Sequence, residues 1–215
     1  MRKIIILFGP PGIGKGTIGK SLSEKWGLPL ISIGDLLRDN VKKNTSIGMK
    51  AETFMKRGEL VPDDVVLDAL VDRISQEDAS KGFLLDGFPR NLNQAQMFEK
   101  TIDTNDSVVV LHLVAPDHVL IERLSMRRIC KSCGAIYHLK NMPPKKEGIC
   151  DICGGVLVQR EDDKPDVISR RLEIFRSETE PLLEYYDGRH KILTISAADN
   201  RENIIERIEG LALWV

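Results

Sequence analysis

The chain has 215 residues and a formal net charge of −1, with 42% hydrophobic and 29% charged residues. A near-neutral chain of this length can bury one main core, and it carries no overall charge that would draw it to nucleic acid or to anionic membranes. Its apolar runs fall short of the roughly twenty residues of a membrane span, and the N-terminal run is too short for a secretory signal, so we expect a cytoplasmic protein.

A glycine-rich loop follows the first predicted strand. Residues 9–17 read GPPGIGKGT, after a short apolar run and before a helical pattern that ends at Gly27. The glycines allow successive backbone N–H groups to face a phosphate, the helix N-terminus adds its positive end, and Lys15 adds a mobile charge. Four glycines and a lysine within nine residues favour phosphate binding over a turn that serves packing alone. The loop departs from the general pattern because Gly16 stands between the lysine and the hydroxyl of Thr17.

The next part of the chain predicts a strand, a helical insertion and then a helix and a second strand. Residues 28–33 predict the short strand, and residues 34–35 offer the N-cap of a helix. We expect a small helical insertion at about 32–61. Pro62 opens another helix, and residues 82–86 have the composition of a buried strand.

The second half of the chain alternates helices and strands around one irregular segment. In chain order, the pattern predicts a helix at 91–100, a strand at 107–115, a helix at 116–128, an irregular segment at 130–163, a helix at 166–186, a strand at 192–196 and a helix at 202–213. Strands that alternate with helices favour a parallel, doubly wound sheet. We therefore expect an α/β protein with about five strands in its sheet, interrupted by two excursions.

The irregular segment contains two CxxC pairs that sixteen residues separate. The four residues are Cys130, Cys133, Cys150 and Cys153. This spacing is typical of a structural zinc site with four cysteine ligands, and such coordination leaves no open position for catalysis. Four free or disulfide-bonded cysteines are the weaker alternative. His112 and His138 are the nearest rival ligands, and we expect both to be packing or surface residues.

Arginines cluster at the predicted ends of elements and at the borders of both excursions. They are Arg38, Arg90, Arg127, Arg128, Arg160, Arg170 and Arg171. A single surface arginine is usually solvated, but such a set in a chain with a phosphate-binding loop favours convergence on polyphosphates. No residue near these motifs stands out as a general base. That absence fits an acceptor that is itself a phosphate, whose second pKa of about 6 leaves it ionised at neutral pH.

Three motifs occur together and in order: residues 9–17 (GPPGIGKGT), residues 32–38 (SIGDLLR) and residues 83–90 (FLLDGFPR). With the arginines that flank the cysteine segment, they resemble the adenylate kinase family of the long-lid, zinc-binding type, over nearly the whole chain. The resemblance implies a P-loop kinase fold and transfer of the terminal phosphoryl group from MgATP to AMP, which gives two ADP. It implies ATP and AMP as partners, Mg²⁺ with ATP and a structural Zn²⁺, in a monomer that binds neither nucleic acid nor membrane.

The resemblance also divides the chain into three parts. The core would comprise residues 1–31, 62–125 and 164–215. We name residues 32–61 the NMP segment, because the family binds the nucleoside monophosphate there, and residues 126–163 the lid. The lid would contain the cysteine segment.

The resemblance implies roles for particular residues. On the ATP side these are Gly12, Ile13, Gly14, Lys15, Gly16, Thr17, Arg127, Ile136, Tyr137 and Asp199. On the AMP side they are Ile33, Arg38, Glu59, Leu60, Val61, Gly87, Phe88, Pro89, Arg90, Gln94, Arg160 and Arg171. The catalytic charges would be Lys15, Arg90, Arg127, Arg160 and Arg171. Asp86 would hold Mg²⁺ through water, and Gln94, which is both donor and acceptor, would read the adenine edge.

Two departures from the family pattern concern the monophosphate. Ile33 stands where family members that use AMP commonly carry threonine, and Asn91-Leu92-Asn93 replaces a more usual Thr-x-Pro before Gln94. A kinase for UMP, CMP or GMP is therefore one alternative. A P-loop ATPase with a nucleic-acid-binding zinc module is another, and the near-neutral charge and the few aromatic residues count against it.

Overall fold

The computed structural model describes residues 1–211. Its strands are Lys3–Phe8 (β1), Leu30–Ser32 (β2), Gly82–Asp86 (β3), Ser107–Val114 (β4), Arg127–Cys130 (β5), Ile136–His138 (β6), Leu157–Val158 (β7) and Lys191–Ser196 (β8). Its α-helices are Lys15–Trp26 (α1), Ile33–Lys42 (α2), Ser46–Arg57 (α3), Asp63–Ile74 (α4), Leu92–Glu99 (α5), Asp117–Ser125 (α6), Pro165–Ile174 (α7), Leu182–Tyr186 (α8) and Arg201–Glu209 (α9). The predicted last helix corresponds to α9, and its last two predicted residues lie outside the described part of the chain. Within residues 1–211, no helix is long and apolar enough to cross a membrane.

In the described residues, five strands form one parallel sheet in the order β2-β3-β1-β4-β8. β1 lies at its centre, where Ile5 and Ile6 point to opposite faces and are both buried. A continuous apolar strand of this kind requires cover on both faces. α4 packs Leu70 against the face of Ile6, and α1 packs Leu22 against the face of Ile5. The predicted α/β, doubly wound fold is confirmed.

Two excursions leave this sheet. α2 and α3 lie between β2 and α4, and β5, β6 and β7 form a small antiparallel sheet between α6 and α7. The small sheet has a buried cluster of its own, which consists of Cys130, Tyr137, Cys150 and Leu157. The excursions fall at the NMP segment and the lid, and the three-part division of the chain stays a prediction.

The first helix of the NMP segment begins earlier than the sequence predicted. Ser32 caps α2, because its hydroxyl accepts the backbone N–H of Asp35 at 3.4 Å. The prediction of a cap at residues 34–35 was wrong, since an N-cap serine accepts from the third residue of the helix and Asp35 holds that position. Ile33 therefore starts the helix instead of ending the strand, and its side chain is buried.

α6 ends three residues before the predicted end of that helix. Arg127 and Arg128 belong instead to β5, which pairs antiparallel with β6. Successive strand residues point to opposite sides. Arg127 accordingly lines the central cavity, whereas Arg128 turns back and donates to the backbone oxygens of Ser125 and Arg127.

The long helix predicted at 166–186 is interrupted. α7 runs into a π-helical turn at Phe175–Thr179, and α8 follows after a break. Such turns are rare and occur frequently at functional sites, because they alter which side chains face inward. Phe175 and Thr179 are both buried and both border the central cavity.

Candidate active site

A cavity of about 900 Å³ lies at the carboxyl ends of β1 and β3. The glycine-rich loop, α2, the chain before α4, β6 and the loop before α7 all line it. Ligands bind at this edge of parallel sheets because the connections from strand to helix converge there. The volume lies in the upper part of the range for small-molecule sites.

The glycine-rich loop joins β1 to α1 beneath the cavity. Gly12 has a positive φ of 83°, and a Cβ at this position would lie 2.8 Å from the backbone oxygen of Leu120. Glycine is therefore required for the loop to pass this close to α6. Lys15 Nζ donates to the carbonyl oxygens of Gly9 and Pro10, at 2.7 and 3.0 Å. The lysine thus curls over the loop to which it belongs.

Lys15 and Asp86 are opposite charges in the same cavity. Burial lowers the pKa of Lys15 to about 8, and the guanidinium of Arg90 acts in the same direction, while Asp86 opposes it. Burial raises the pKa of Asp86 against the attraction of Lys15 and Arg90. Gly16 lies beside this carboxylate, since a Cβ built on it would be 3.5 Å from Asp86 Oδ2. If phosphates bind at the loop with a hydrated Mg²⁺, this carboxylate lies in the same cavity and could accept hydrogen bonds from the water molecules of the ion.

Several of the predicted arginines line the cavity together: Arg38, Arg90, Arg127, Arg160 and Arg171. They come from α2, the loop after β3, β5, the loop after β7 and α7, so the tertiary fold collects them. Burial lowers the pKa of Arg90 to about 10, and the nearby guanidinium of Arg171 adds to this effect. Burial likewise lowers the pKa of Arg160 to about 10, with a further contribution from the guanidinium of Arg38. Crowded cations of this kind repel one another, and a bound polyanion would stabilise them. The cavity therefore has the chemistry of a polyphosphate site.

The other two arginines of the predicted set do not line this cavity. Arg128 is directed toward the backbone, and Arg170 pairs with Glu173 at 3.2 Å on the exposed side of α7. The arginine pattern alone did not separate them from their neighbours, whereas the family resemblance gave roles to Arg127 and Arg171 and none to Arg128 or Arg170.

Two aspartates to which the sequence assigned no role hold Arg127 of the lid and Arg171 of α7. Arg127 forms two hydrogen bonds with the fully buried Asp163, at 2.8 and 2.6 Å. Arg171 donates to the backbone oxygen of Asp162 at 2.8 Å. Such paired bonds fix the plane of a guanidinium. The sequence offered one signal for these partners, because the acidic run Glu-Asp-Asp at 161–163 directly follows the predicted site residue Arg160.

A third aspartate links the two excursions. Asp35 Oδ1 accepts from Arg38 Nη2 at 2.6 Å and lies 3.5 Å from Arg160 Nη2. Asp35 and Arg38 belong to α2, whereas Arg160 follows the small sheet, so this contact joins the two excursions within the lining of the cavity. Arg160 Nε is buried and has no hydrogen-bond partner among the described residues. An anionic ligand would satisfy that donor.

The wall formed by the NMP segment and the loop after β3 carries most of the predicted AMP-side residues. They are Ile33, Glu59, Leu60, Val61, Gly87, Phe88, Pro89 and Gln94. Ile33 gives this wall an apolar surface. Gln94 is 2% exposed, its Oε1 accepts the backbone N–H of Arg90 at 2.8 Å, and its Nε2 donates to Asp63 Oδ1 at 2.7 Å. The amide of Gln94 is therefore held at both ends.

The predicted ATP-side residues outside the loop also line the cavity. They are Arg127, Ile136, Tyr137 and Asp199. The hydroxyl of Tyr137 points toward the cysteines, because it accepts the backbone N–H of Asp151 at 2.7 Å and lies 3.5 Å from Cys150 Sγ. A ligand in the cavity would therefore meet other atoms of this residue. Asp199 is exposed and pairs with Arg207.

Arg123 also lines the cavity, although the sequence assigned it no role in the site. It donates to the backbone oxygens of Ile13 and Ala197, at 3.3 and 2.8 Å. Arg123 therefore ties the glycine-rich loop to the segment after β8. The sequence offered one signal for this role, because Arg123 lies four residues before the predicted site residue Arg127.

The four cysteine sulfurs come together in the lid. Cys130 Sγ lies 3.4 Å from Cys153 Sγ, Cys133 Sγ lies 3.6 Å from Cys150 Sγ, and all four lie within 4.8 Å of one another. These distances are longer than the about 2 Å of a disulfide and close to the roughly 3.8 Å between sulfurs around a tetrahedral zinc ion. The cysteines are thus placed to hold one metal ion, and neither rival histidine belongs to this group.

The glycine-rich loop, the arginines gathered over it and the two excursions define the class of P-loop kinases that act on nucleotides. A family model described as adenylate kinase matches residues 7–191. A protein of Caldicellulosiruptor saccharolyticus named adenylate kinase is 50% identical over 192 residues, which cover 88% of this chain and 89% of that protein. A protein of Methanocella arvoryzae with the same name is 50% identical over 95% of this chain and 96% of its own length. One of Methanosarcina mazei, also named adenylate kinase, is 46% identical over 96% of this chain and 97% of its own length.

The chain belongs to the adenylate kinase family. The family predicted from the sequence is confirmed, and the chain is a nucleoside monophosphate kinase whose family uses MgATP. The alternative of an ATPase with a nucleic-acid-binding zinc module is not favoured.

Proposed function

We propose that the chain catalyses the reversible transfer of the terminal phosphoryl group from MgATP to AMP, which gives two ADP and balances the adenine nucleotides. The observation that carries the proposal is one cavity that the glycine-rich loop shares with arginines from both excursions. Because one chain supplies the whole set, we propose that the enzyme works as a monomer, and we retain the expectation of a cytoplasmic protein.

In this proposal, different residues bind the phosphates of ATP and the phosphate of AMP. Lys15 and the loop N–H groups bind the outer phosphates of ATP, and Arg38 and Arg90 bind the phosphate of AMP. An ionised oxygen of the AMP phosphate attacks the γ-phosphorus and forms a P–O bond, while the bond from that phosphorus to the bridging oxygen breaks and releases ADP. No proton has to be removed from the attacking oxygen, which agrees with the lack of a recognisable general base.

The remaining arginines act on the group in transfer. Arg127, Arg160 and Arg171 neutralise charge on its equatorial oxygens, and the bonds from Asp163 and Asp162 hold two of these guanidiniums in position. Electrostatic groups that are already oriented contribute most to catalysis because they need no reorganisation during the reaction. Asp86 would hold Mg²⁺ through water, and the ion would neutralise part of the phosphate charge.

Closure of the lid and the NMP segment over both nucleotides excludes water, which otherwise accepts the phosphoryl group. The Asp35–Arg160 contact between the two excursions supports this part of the proposal. The four cysteines would hold Zn²⁺, which stiffens the lid so that it moves as one body.

A panel of acceptors tests the function. With ATP as donor, we expect kcat/KM for AMP to exceed that for GMP, CMP and UMP by about 100-fold or more, since a site with paired polar groups rejects ligands that leave them unpaired. ADP formation is measured by a coupled assay for each acceptor. Equal or higher kcat/KM for CMP or UMP would support the alternative acceptors, and ATP hydrolysis that needs RNA or DNA and no monophosphate would contradict the proposal altogether.

Thr179 provides a test of the AMP phosphate site. We expect Thr179→Val to raise the KM for AMP about tenfold with little change in the KM for ATP. Thr179 Oγ1 donates to the backbone oxygen of Arg90 at 2.7 Å, and valine leaves that oxygen without its donor while the shape is kept. The KM for each nucleotide is measured with the other at saturation. Thr179→Ser keeps the hydroxyl and restores the wild-type value, whereas equal rises in both KM values would indicate a general loosening.

A further inference from the structure

The unusual Asn91-Leu92-Asn93 run has a specific partner, Asp63, at the first position of α4. Asp63 Oδ1 accepts from Asn91 Nδ2 at 2.9 Å and from Gln94 Nε2 at 2.7 Å. Asp63 Oδ2 accepts from Asn93 Nδ2 at 2.7 Å. One carboxylate therefore gathers three side-chain amides, two of which come from the run that departs from the family pattern.

This carboxylate is held in its ionised form. Burial raises the pKa of Asp63, but the amide donors of Asn93, Asn91 and Gln94 together outweigh burial and keep the pKa below its usual value. An ionised carboxylate can only accept hydrogen bonds. Asp63 therefore requires a donor from Gln94.

The orientation of the Gln94 amide follows from two fixed partners. Asp63 accepts only, and the backbone N–H of Arg90 donates only. An amide turned by 180° would place Oε1 against the Asp63 carboxylate and Nε2 against the Arg90 N–H, so both hydrogen bonds would become repulsive contacts. Charge-assisted bonds are the stronger kind, which makes the observed orientation the stable one.

A held amide can distinguish two kinds of purine. After these two bonds, Gln94 retains one N–H donor and one lone pair of Oε1. A 6-aminopurine edge offers the complement, because its N1 accepts and its amino group donates. A 6-oxopurine edge offers the reverse, because its N1 carries a proton and its O6 accepts. An amide that can turn would serve both bases, whereas a fixed amide serves only the first.

We propose that Asp63 is a positioning residue that fixes the Gln94 amide and thereby makes the acceptor site select a 6-aminopurine monophosphate over a 6-oxopurine monophosphate. The inference rests on the proposed function, in which Gln94 faces the acceptor base. It assigns a role to the Asn91 and Asn93 side chains, which keep the carboxylate ionised and in place.

The experiment compares AMP with IMP, which differ at the edge in question, in wild type and in Asp63→Asn. Asparagine has the shape of aspartate, but it can present either an oxygen or an NH₂ group to Gln94 and so tolerates both amide orientations. We expect the ratio of kcat/KM for AMP to that for IMP to fall by about tenfold or more, the factor that one hydrogen bond to a charged group supplies. The ratio of the dissociation constants of AMP and IMP, measured by calorimetry, should change by the same factor, and the KM for ATP should not change.

Asp64→Asn is the matched control. Asp64 is the exposed neighbour of Asp63 in the same helical turn, so its replacement removes the same charge and should leave the AMP/IMP ratio unchanged. Equal losses for AMP and IMP in Asp63→Asn, or an unchanged ratio, would overturn the inference. If Asp63→Asn does not fold, Asp63→Ala carries the same expectation, because it also removes the obligatory acceptor.

Gln94→Leu separates this inference from the proposed function. If Gln94→Leu leaves the KM for AMP unchanged, Gln94 does not face the base and the proposed acceptor site is wrong. If Gln94→Leu raises that KM while Asp63→Asn keeps the wild-type AMP/IMP ratio, the acceptor site stands and only the role of Asp63 is contradicted.

Discussion

Replacement of Lys15 by methionine lowers kcat for ADP formation from ATP and AMP by about 10³-fold. Methionine keeps an unbranched apolar stem but removes the ammonium group, which in the proposed function is the cation that binds the outer phosphates of ATP. The backbone of the loop holds this ammonium group in place, since Lys15 Nζ donates to the carbonyl oxygens of Gly9 and Pro10 at 2.7 and 3.0 Å. The loss falls mainly on kcat, because charge on the transferring group is greatest in the transition state.

Lys20→Met is the control for this experiment. Lys20 is exposed on the same helix, so its replacement removes an equal charge without reaching the cavity, and we expect kcat to stay near the wild-type value. Both variants are assayed with ATP and AMP varied separately, and thermal unfolding shows whether each is folded. Equal kcat for wild type and Lys15→Met would show that the assignment of Lys15 is wrong.

Replacement of Cys150 by serine removes the metal from the lid and lowers kcat by about 10²-fold. Protein purified without added metal should contain about one zinc per chain in the wild type and almost none in the variant. The lid has little else to hold it, since its buried cluster consists of Cys130, Tyr137, Cys150 and Leu157. Without the proposed zinc, we expect the lid to lose the order that positions Arg127 in the proposed site, and an error of about 1 Å in position is enough for a loss of this size.

Three measurements check this prediction: elemental analysis, titration of free thiols and the rate at which a protease cleaves the lid. Lys131→Ala is the control, because Lys131 lies between the cysteines in sequence and is exposed. We expect this control to keep its metal, its resistance to the protease and its activity. A wild-type protein that contains no metal and four free thiols would contradict the proposed zinc site.

Local patterns determined much of the fold. The composition of residues 82–86 predicted a buried strand, and the structure has β3 there with Phe83, Leu84 and Leu85 fully buried. The cysteine spacing likewise predicted the group of four sulfurs. These predictions succeeded because each depends on residues that are close in sequence, where backbone periodicity and turn geometry decide the outcome.

Boundaries were less predictable where two local rules compete. The helical pattern of 116–128 continued through two arginines that the structure assigns to β5, because strand pairing with β6 outweighs helix propensity there. The helix predicted at 166–186 contains a π-helical turn, which brings Thr179 to the backbone of Arg90. Neither contact leaves a periodic trace in the sequence.

The sequence by itself determined the α/β class, the glycine-rich loop, the grouping of the four cysteines and the family, because all of these are carried by residue types at short, fixed spacings. Only the tertiary structure decided which aspartates hold the arginines of the cavity, such as Asp163 on Arg127. It alone placed Asp63 against Gln94, which lies 31 positions along the chain. Hydrogen bonds of this kind depend on how separate elements pack, and the polar residues that form them have no fixed spacing to recognise.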